Sequence, residues 1–236
     1  MELILNQNVK NPTIIEGFPG IGLVGTIATE FLIDSLKAKE IGYIRGEGVP
    51  PMIALHNSKI SKPMGVYYAE KQNLLIFHFI SSIPSKEWRL AEMIKEVYSK
   101  TKAKEIVSLE SVGVPGAIDS KSENYYYTDV KKNESKLINL GAKRLENGIV
   151  MGITSILMSS KDINLTCLFG VTHTKLPDSK AAAGILEALN SYLNLKIDTK
   201  PLIKSAQEFE KKLKSLIASS KEVQKKSNDN NLSYLG

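Results

Sequence analysis

Thr13-Ile14-Ile15-Glu16-Gly17-Phe18-Pro19-Gly20-Ile21-Gly22-Leu23-Val24-Gly25 runs from a short apolar stretch into a turn of glycine and proline. Thr26-Ile27-Ala28-Thr29-Glu30-Phe31-Leu32-Ile33 then continues with helical spacing. A strand that passes into a helix in this way is the building unit of an α/β fold. Gly17, Gly20, Gly22 and Gly25 strip side chains from the turn, so its backbone comes close to something. Three occupants fit that space: a bound phosphate, a neighbouring strand, or another subunit.

Outward from this stretch the chain alternates between the two periodicities. Strand-like runs cover Glu2 to Leu5, Thr13 to Glu16, Glu40 to Arg45, Met64 to Ala69, Asn73 to Phe79, Glu105 to Leu109 and Asn164 to Phe169. Helical patterns cover Leu23 to Leu36, Lys86 to Lys100, Asn133 to Leu140, Ser155 to Ser160, Ser179 to Leu193 and Lys200 to Ser219. Ser85 is an N-cap candidate for the second helix, on which Trp88, Ala91, Ile94 and Val97 repeat at helical spacing. Short apolar strands such as Glu105-Ile106-Val107-Ser108-Leu109 predict a largely parallel mixed sheet covered on both faces. The expected fold is therefore a three-layer α/β/α domain over residues 1–198, with an amphipathic helix over 199–219 and a flexible tail over 220–236.

Composition narrows the function classes. The 236 residues, 42% hydrophobic and 24% charged, are those of an ordinary globular domain. No apolar run approaches the roughly 20 residues of a membrane helix; Leu74-Leu75-Ile76-Phe77 stops at His78. The amino terminus lacks a signal-peptide layout, and the single cysteine, Cys167, forms no intramolecular disulfide, so a reduced cytoplasmic setting is expected. The net charge of +6 sits mostly between Lys196 and Lys226, where nine lysines face four acids. With no arginine there and Phe209 as the single aromatic, a solvated helix face is expected, not a nucleic-acid site.

Candidate chemistry is sparse. His56, His78 and His173 show no metal-ligand spacing with one another or with Cys167, and His78 reads as a core histidine of an apolar strand. Glu16 and Glu110 each end a strand at the edge where parallel sheets gather ligands. They could form a carboxylate pair or accept backbone amides from their Gly/Pro-rich loops, and the latter is expected. Gly20-x-Gly22-x-x-Gly25 fits a dinucleotide fingerprint, with Glu40 and Glu47 following. Pro19 removes one amide from that turn, however, and neither acid ends the second strand.

The carboxy terminus has two features of its own. Leu202, Ala206, Phe209, Leu213 and Leu216 form a narrow apolar stripe, suited to packing on this domain or to a subunit interface. A polar stretch then leads to Leu232-Ser233-Tyr234-Leu235-Gly236, an apolar and aromatic hook on a polar tether.

Gly17-Phe18-Pro19-Gly20-Ile21-Gly22-Leu23-Val24-Gly25 resembles the amino-terminal signature of the archaeal branch of the proteasome assembly chaperone family. The resemblance extends through Gly141-Ala142-Lys143-Arg144-Leu145-Glu146-Asn147-Gly148-Ile149-Val150-Met151-Gly152-Ile153-Thr154 and Pro177-Asp178-Ser179-Lys180-Ala181-Ala182-Ala183 to Leu189 and Leu195-Lys196-Ile197-Asp198. It implies a fold similar to purine nucleoside phosphorylases, no catalytic centre, and no cofactor. It also implies a homo-oligomer, or one mixed with a paralogue, that assists assembly of proteasome α-subunits. Phe18, Gly20, Gly22, Leu23, Gly25, Phe209 and Leu213 would serve packing and oligomer contacts, and Tyr234, Leu235 and Gly236 would touch the partner. Family members that grip the proteasome end in hydrophobic-tyrosine-any, whereas Tyr234 stands third from last and follows Ser233. The alternative is a small-ligand or nucleotide-binding enzyme that uses the glycine turn in a phosphorylase-like pocket.

Overall fold

A computed structural model describes residues 1–56, 59–113, 124–172 and 176–202, with 204 and 215. Eleven strands are described: β1 (Glu2–Leu5), β2 (Thr13–Gly17), β3 (Lys39–Arg45), β4 (Ala54–His56), β5 (Lys59–Ser61), β6 (Met64–Ala69), β7 (Leu74–Phe79), β8 (Glu105–Gly113), β9 (Asn124–Thr128), β10 (Lys143–Arg144) and β11 (Leu165–Thr172). The helices are α1 (Val24–Leu36), α2 (Glu87–Thr101), α3 (Lys131–Asn139), α4 (Ile153–Ser159) and α5 (Ser179–Leu193).

Nine strands make one sheet in the order β1-β3-β6-β7-β2-β8-β11-β9-β10, and β4 and β5 form a separate hairpin. The four central strands, β7-β2-β8-β11, are mutually parallel. The flanks join them antiparallel, β6 to β7 on one side and β9 to β11 on the other. Strand β2 is buried at every residue, Glu16 included, because both its faces are covered. On one face α1 and α5 pack with Leu137 of α3 over Ile15, Ile76, Val107 and Leu168. On the other, α2 and α4 cover Ile14, Phe77, Ile106 and Cys167. The result is the expected three-layer α/β/α fold with a mixed sheet that is parallel at its centre.

Some details depart from the sequence expectations. Lys86, not Ser85, is the N-cap of α2 and makes no side-chain cap hydrogen bond. Ser85 takes a left-handed φ of 65°, so the chain turns there instead of capping the helix. Trp88 is 69% exposed, and α2 buries Leu90, Ala91, Met93, Ile94 and Val97 instead. Among the described residues no helix is long and apolar enough to cross a membrane. Thr172 and Asp178 bound the link between β11 and α5, where the Asp178 carboxylate caps α5 by accepting the Ala181 amide at 2.9 Å. Beyond α5, the Asn190 side chain donates to the Ile197 carbonyl at 3.0 Å and accepts its amide at 2.9 Å, steering the chain back to bury Leu202 in the α1–α5 core. The rest of the stripe, Ala206, Phe209, Leu213 and Leu216, lies outside the described residues.

Candidate functional site

The glycine turn is consumed largely by packing within the chain. A β-carbon on Gly25 would lie 2.2 Å from the Leu109 carbonyl oxygen of β8, and one on Gly17 would lie 2.3 Å from the Gly25 carbonyl oxygen. These are distances that force backbone to move, so glycine lets the start of α1 sit directly on β2 and β8. Gly22 has φ +66°, and a β-carbon there would meet Thr172 Oγ1 at 2.9 Å. The Gly22 carbonyl accepts the Asp178 amide at 2.8 Å, which ties the turn to the α5 cap. Leu23 also adopts a left-handed φ of 50° as the N-cap of α1. Gly20 differs: its missing β-carbon would make ordinary contact, 3.5 Å from both Glu110 Oε2 and Ser111 Oγ. Phe18 is buried with its ring 4.9 Å from that of Phe79.

Glu110 therefore faces the turn, and it is not alone. Glu16, Ser108 and Glu110 project to the α2–α4 face, since they alternate with Ile15, Val107 and Leu109 on the opposite one. Thr154, in the first turn of α4, donates to Glu110 Oε1 at 2.6 Å and also lies 3.2 Å from Glu16 Oε1. Ser108 Oγ is 3.1 Å from the same hydroxyl. The two acids thus form a pair bridged by one threonine. The expectation that they would chiefly accept loop amides is corrected, although Glu110 does accept the Ser111 amide. The sequence could place each acid at a strand end, but Thr154 comes from 44 residues beyond Glu110 and carries no local signal.

Burial dominates the electrostatics. It pushes the Glu16 carboxyl well above its ordinary value, and the Glu110 charge pushes the same way. Glu110 rises to about 7, again chiefly through desolvation, opposed by its bonds from Thr154 and Ser111. Cys167, buried on the same face of β11, is raised by burial and then by both carboxylates, which makes it a poor nucleophile. A carboxylate beside Gly20 opposes a phosphate at this turn, so the dinucleotide fingerprint describes the backbone shape and not a matching charge.

Glu110 opens onto a cleft of about 160 Å³ bounded by the glycine turn, the β7–α2 link and the entrance to α4. Phe18, Met64, Phe79, Leu90 and Ile153 supply apolar walls, while Glu110, Glu87, Ser81 and Ser82 supply polar groups. Elsewhere, His78 is fully buried in β7. Its Nδ1 is 2.9 Å from Thr29 Oγ1, and its Nε2 lies 2.8 Å from Glu30 Oε2 without hydrogen-bond alignment. It is a partnered core histidine. Among the described residues no cluster of His, Cys, Asp and Glu could hold a metal. His173 and the side chain of His56 lie outside the described residues, as do Phe209, Leu213, Tyr234, Leu235 and Gly236.

The chain is similar to known proteins over nearly its whole length. PbaA of Pyrococcus furiosus, an archaeal homologue of proteasome-assembly chaperone, superposes with a TM-score of 0.84 at 30% identity, covering 94% of this chain and 99% of PbaA. The fold is also that of P. furiosus PbaB, an archaeal proteasome activator, with a TM-score of 0.74 at 23% identity over 91% and 98% of the two chains. The protein MJ0106 of Methanocaldococcus jannaschii is 32% identical over 210 residues, 88% of this chain and 86% of that protein. Residues 14–217 match the model of the PAC2 family from the glycine turn to the carboxy-terminal helical pattern, and the chain belongs to that family.

Proposed function

We propose that this protein is a non-enzymatic chaperone of proteasome core assembly that binds α-subunits. The observation that carries this reading is the end-to-end similarity to PbaA, which leaves almost no part of either chain unmatched. The site geometry agrees with it. Gly17, Gly22 and Gly25 are accounted for by close contacts inside the fold. Four exposed apolar side chains lie in segments at the edge where the central strands end: Ile21 in the glycine turn, Trp88 at the start of α2, Met151 before α4 and Leu176 before α5. An apolar rim of this kind suits protein contact better than solvent. Self-association into a homo-oligomer, alone or with a paralogue, belongs to the same reading.

The tail supplies the second contact. Tyr234, Leu235 and Gly236 end a stretch too polar to bury a core of its own, so a modest tripeptide contact gains effective concentration once the domain is engaged. Two deletions of binding surface test the proposal. Co-purification with proteasome α-subunits is expected for the full chain and weakened on removal of the last five residues. A tyrosine anchor is worth on the order of 2 kcal/mol, so Tyr234→Ala is expected to cost about thirtyfold in affinity by calorimetry against assembled α-rings. No capture of α-subunits by the full chain would overturn the chaperone reading. Capture unchanged by Tyr234→Ala would move recognition to the folded domain.

A further inference from the structure

We propose that the cleft between the glycine turn and the entrance to α4 binds a primary ammonium group carried on a short apolar chain, with Glu110 as its counter-charge. The sign of the charge follows from the lining, where among the described residues Glu110 and Glu87 are the ionisable groups and Lys, Arg and His do not occur. The apolar body follows from the walls of Phe18, Met64, Phe79, Leu90 and Ile153. A cleft of about 160 Å³ suits a ligand of side-chain size.

The hydrogen-bond inventory points the same way. Among the described residues the four oxygens of Glu16 and Glu110 draw on few donors: one hydroxyl hydrogen each from Thr154 and Ser108, and the Ser111 amide. Glu16 Oε2 is fully buried and has no hydrogen-bond partner among the described residues. The contrast lies on the same strand. Glu105, at the other end of β8, receives Tyr192 Oη at 2.8 Å and Asn133 Nδ2 at 3.1 Å, so the chain satisfies that carboxylate itself. At the Glu16–Glu110 pair it stops short among the described residues, and Glu110 is the member of the pair that lines the cleft. A buried carboxyl pair left short of donors is costly. An ammonium group brings three N–H donors and a charge that offsets the repulsion within the pair. Gly20 keeps the approach to Glu110 Oε2 slim, since a side chain there would stand against that oxygen.

The test is a backbone-amide NMR titration of the full-length protein with butylammonium chloride, and with sodium butyrate as the opposite charge. Saturable shifts at the Gly20, Ser82 and Gly152 amides are expected with butylammonium and not with butyrate. Glu110→Gln is expected to weaken binding about tenfold or more, as loss of a hydrogen bond to a charged group does. Ser82 is exposed at the mouth, so Ser82→Trp keeps the fold, which the same spectra report, and is expected to block entry. Nα-acetyl-lysine amide separates the sources of the group. Binding equal to butylammonium assigns the site to a partner's lysine side chain, and exclusion of this bulkier probe assigns it to a free amine. Absence of saturable shifts in the wild type, equal response to butyrate, or unchanged affinity in both variants would overturn the proposal.

Discussion

Gly25 and Gly20 lie five residues apart in one turn and face opposite demands. Gly25→Ala would drive a β-carbon to 2.2 Å from the Leu109 carbonyl oxygen, whereas Gly20→Ala makes only 3.5 Å contacts. The first is expected to lower stability by roughly 2 kcal/mol or more and the second by less than about 0.5 kcal/mol, read as shifts in urea midpoint. Comparable losses in the two variants would mean that the turn is not packed in this way. Glu110 makes a pH prediction. Its folded value of about 7 exceeds the ordinary 4.5, so between those values the folded chain holds more proton than the unfolded one. Stability is then greatest below the lower value and falls as pH rises through the upper one, by roughly 3 kcal/mol at most. Glu16 adds in the same direction from β2, and Cys167 and Thr154 face the pair from β11 and α4. Denaturation at pH 5 and pH 8 is expected to show the loss, and Glu110→Gln to make it shallower; a wild type more stable at pH 8 would refute the assignment. At this scale the sequence was partly readable. Both acids could be placed at strand ends, but their bridge could not, because the hydroxyl that joins them arrives from a distant helix.

Elements were legible in proportion to how far their own residues decide them. β1, β6 and α5 match their expected bounds, and β2 and β7 match within a residue, because each carries an apolar or periodic signal of its own. The hairpin β4–β5 has three-residue strands, too short to show a period. β10 is shorter still and exists only by pairing with β9. β9 itself, Asn-Tyr-Tyr-Tyr-Thr, had a usable signal in its three tyrosines that alternation did not single out. Trp88 was misplaced because helical spacing fits two adjacent faces of α2, and Leu90 with Met93 takes the inner one. The joint after α5 gives this scale its prediction. Asn190 makes both hydrogen bonds that hold Ile197, so Asn190→Ala is expected to leave the melting of the core nearly unchanged while speeding tryptic cleavage at Lys196 several-fold. Equal cleavage rates would show that burial of Leu202 holds the joint without Asn190.

For the whole molecule the expectation is assembly. The rim of Ile21, Trp88, Met151 and Leu176, and the sequence pattern of Ala206, Phe209, Leu213 and Leu216, are the surfaces proposed for a second copy, since Leu202 is already buried in the domain core. Sedimentation is expected to give a closed oligomer, and a single species at the 26.0 kDa chain mass would remove self-association from the proposed function. The three-layer fold was readable at this scale because strand and helix alternate along the chain. The antiparallel flanks were not, since their order depends on pairings between distant segments. The position of β2 has one more consequence, for biosynthesis. Its sheet neighbours begin at Leu74 and Glu105, both well downstream, so a growing chain holds this wholly buried strand without a partner on either side until those segments leave the ribosome. The local meander from β3 through β6 to β7 can form first, and β2 then slots against its far edge before β8 closes the other side. Pausing of translation before Phe79 would therefore leave an unpaired and sticky segment waiting, which makes the interval between the first and second helices the vulnerable moment in the life of this chain.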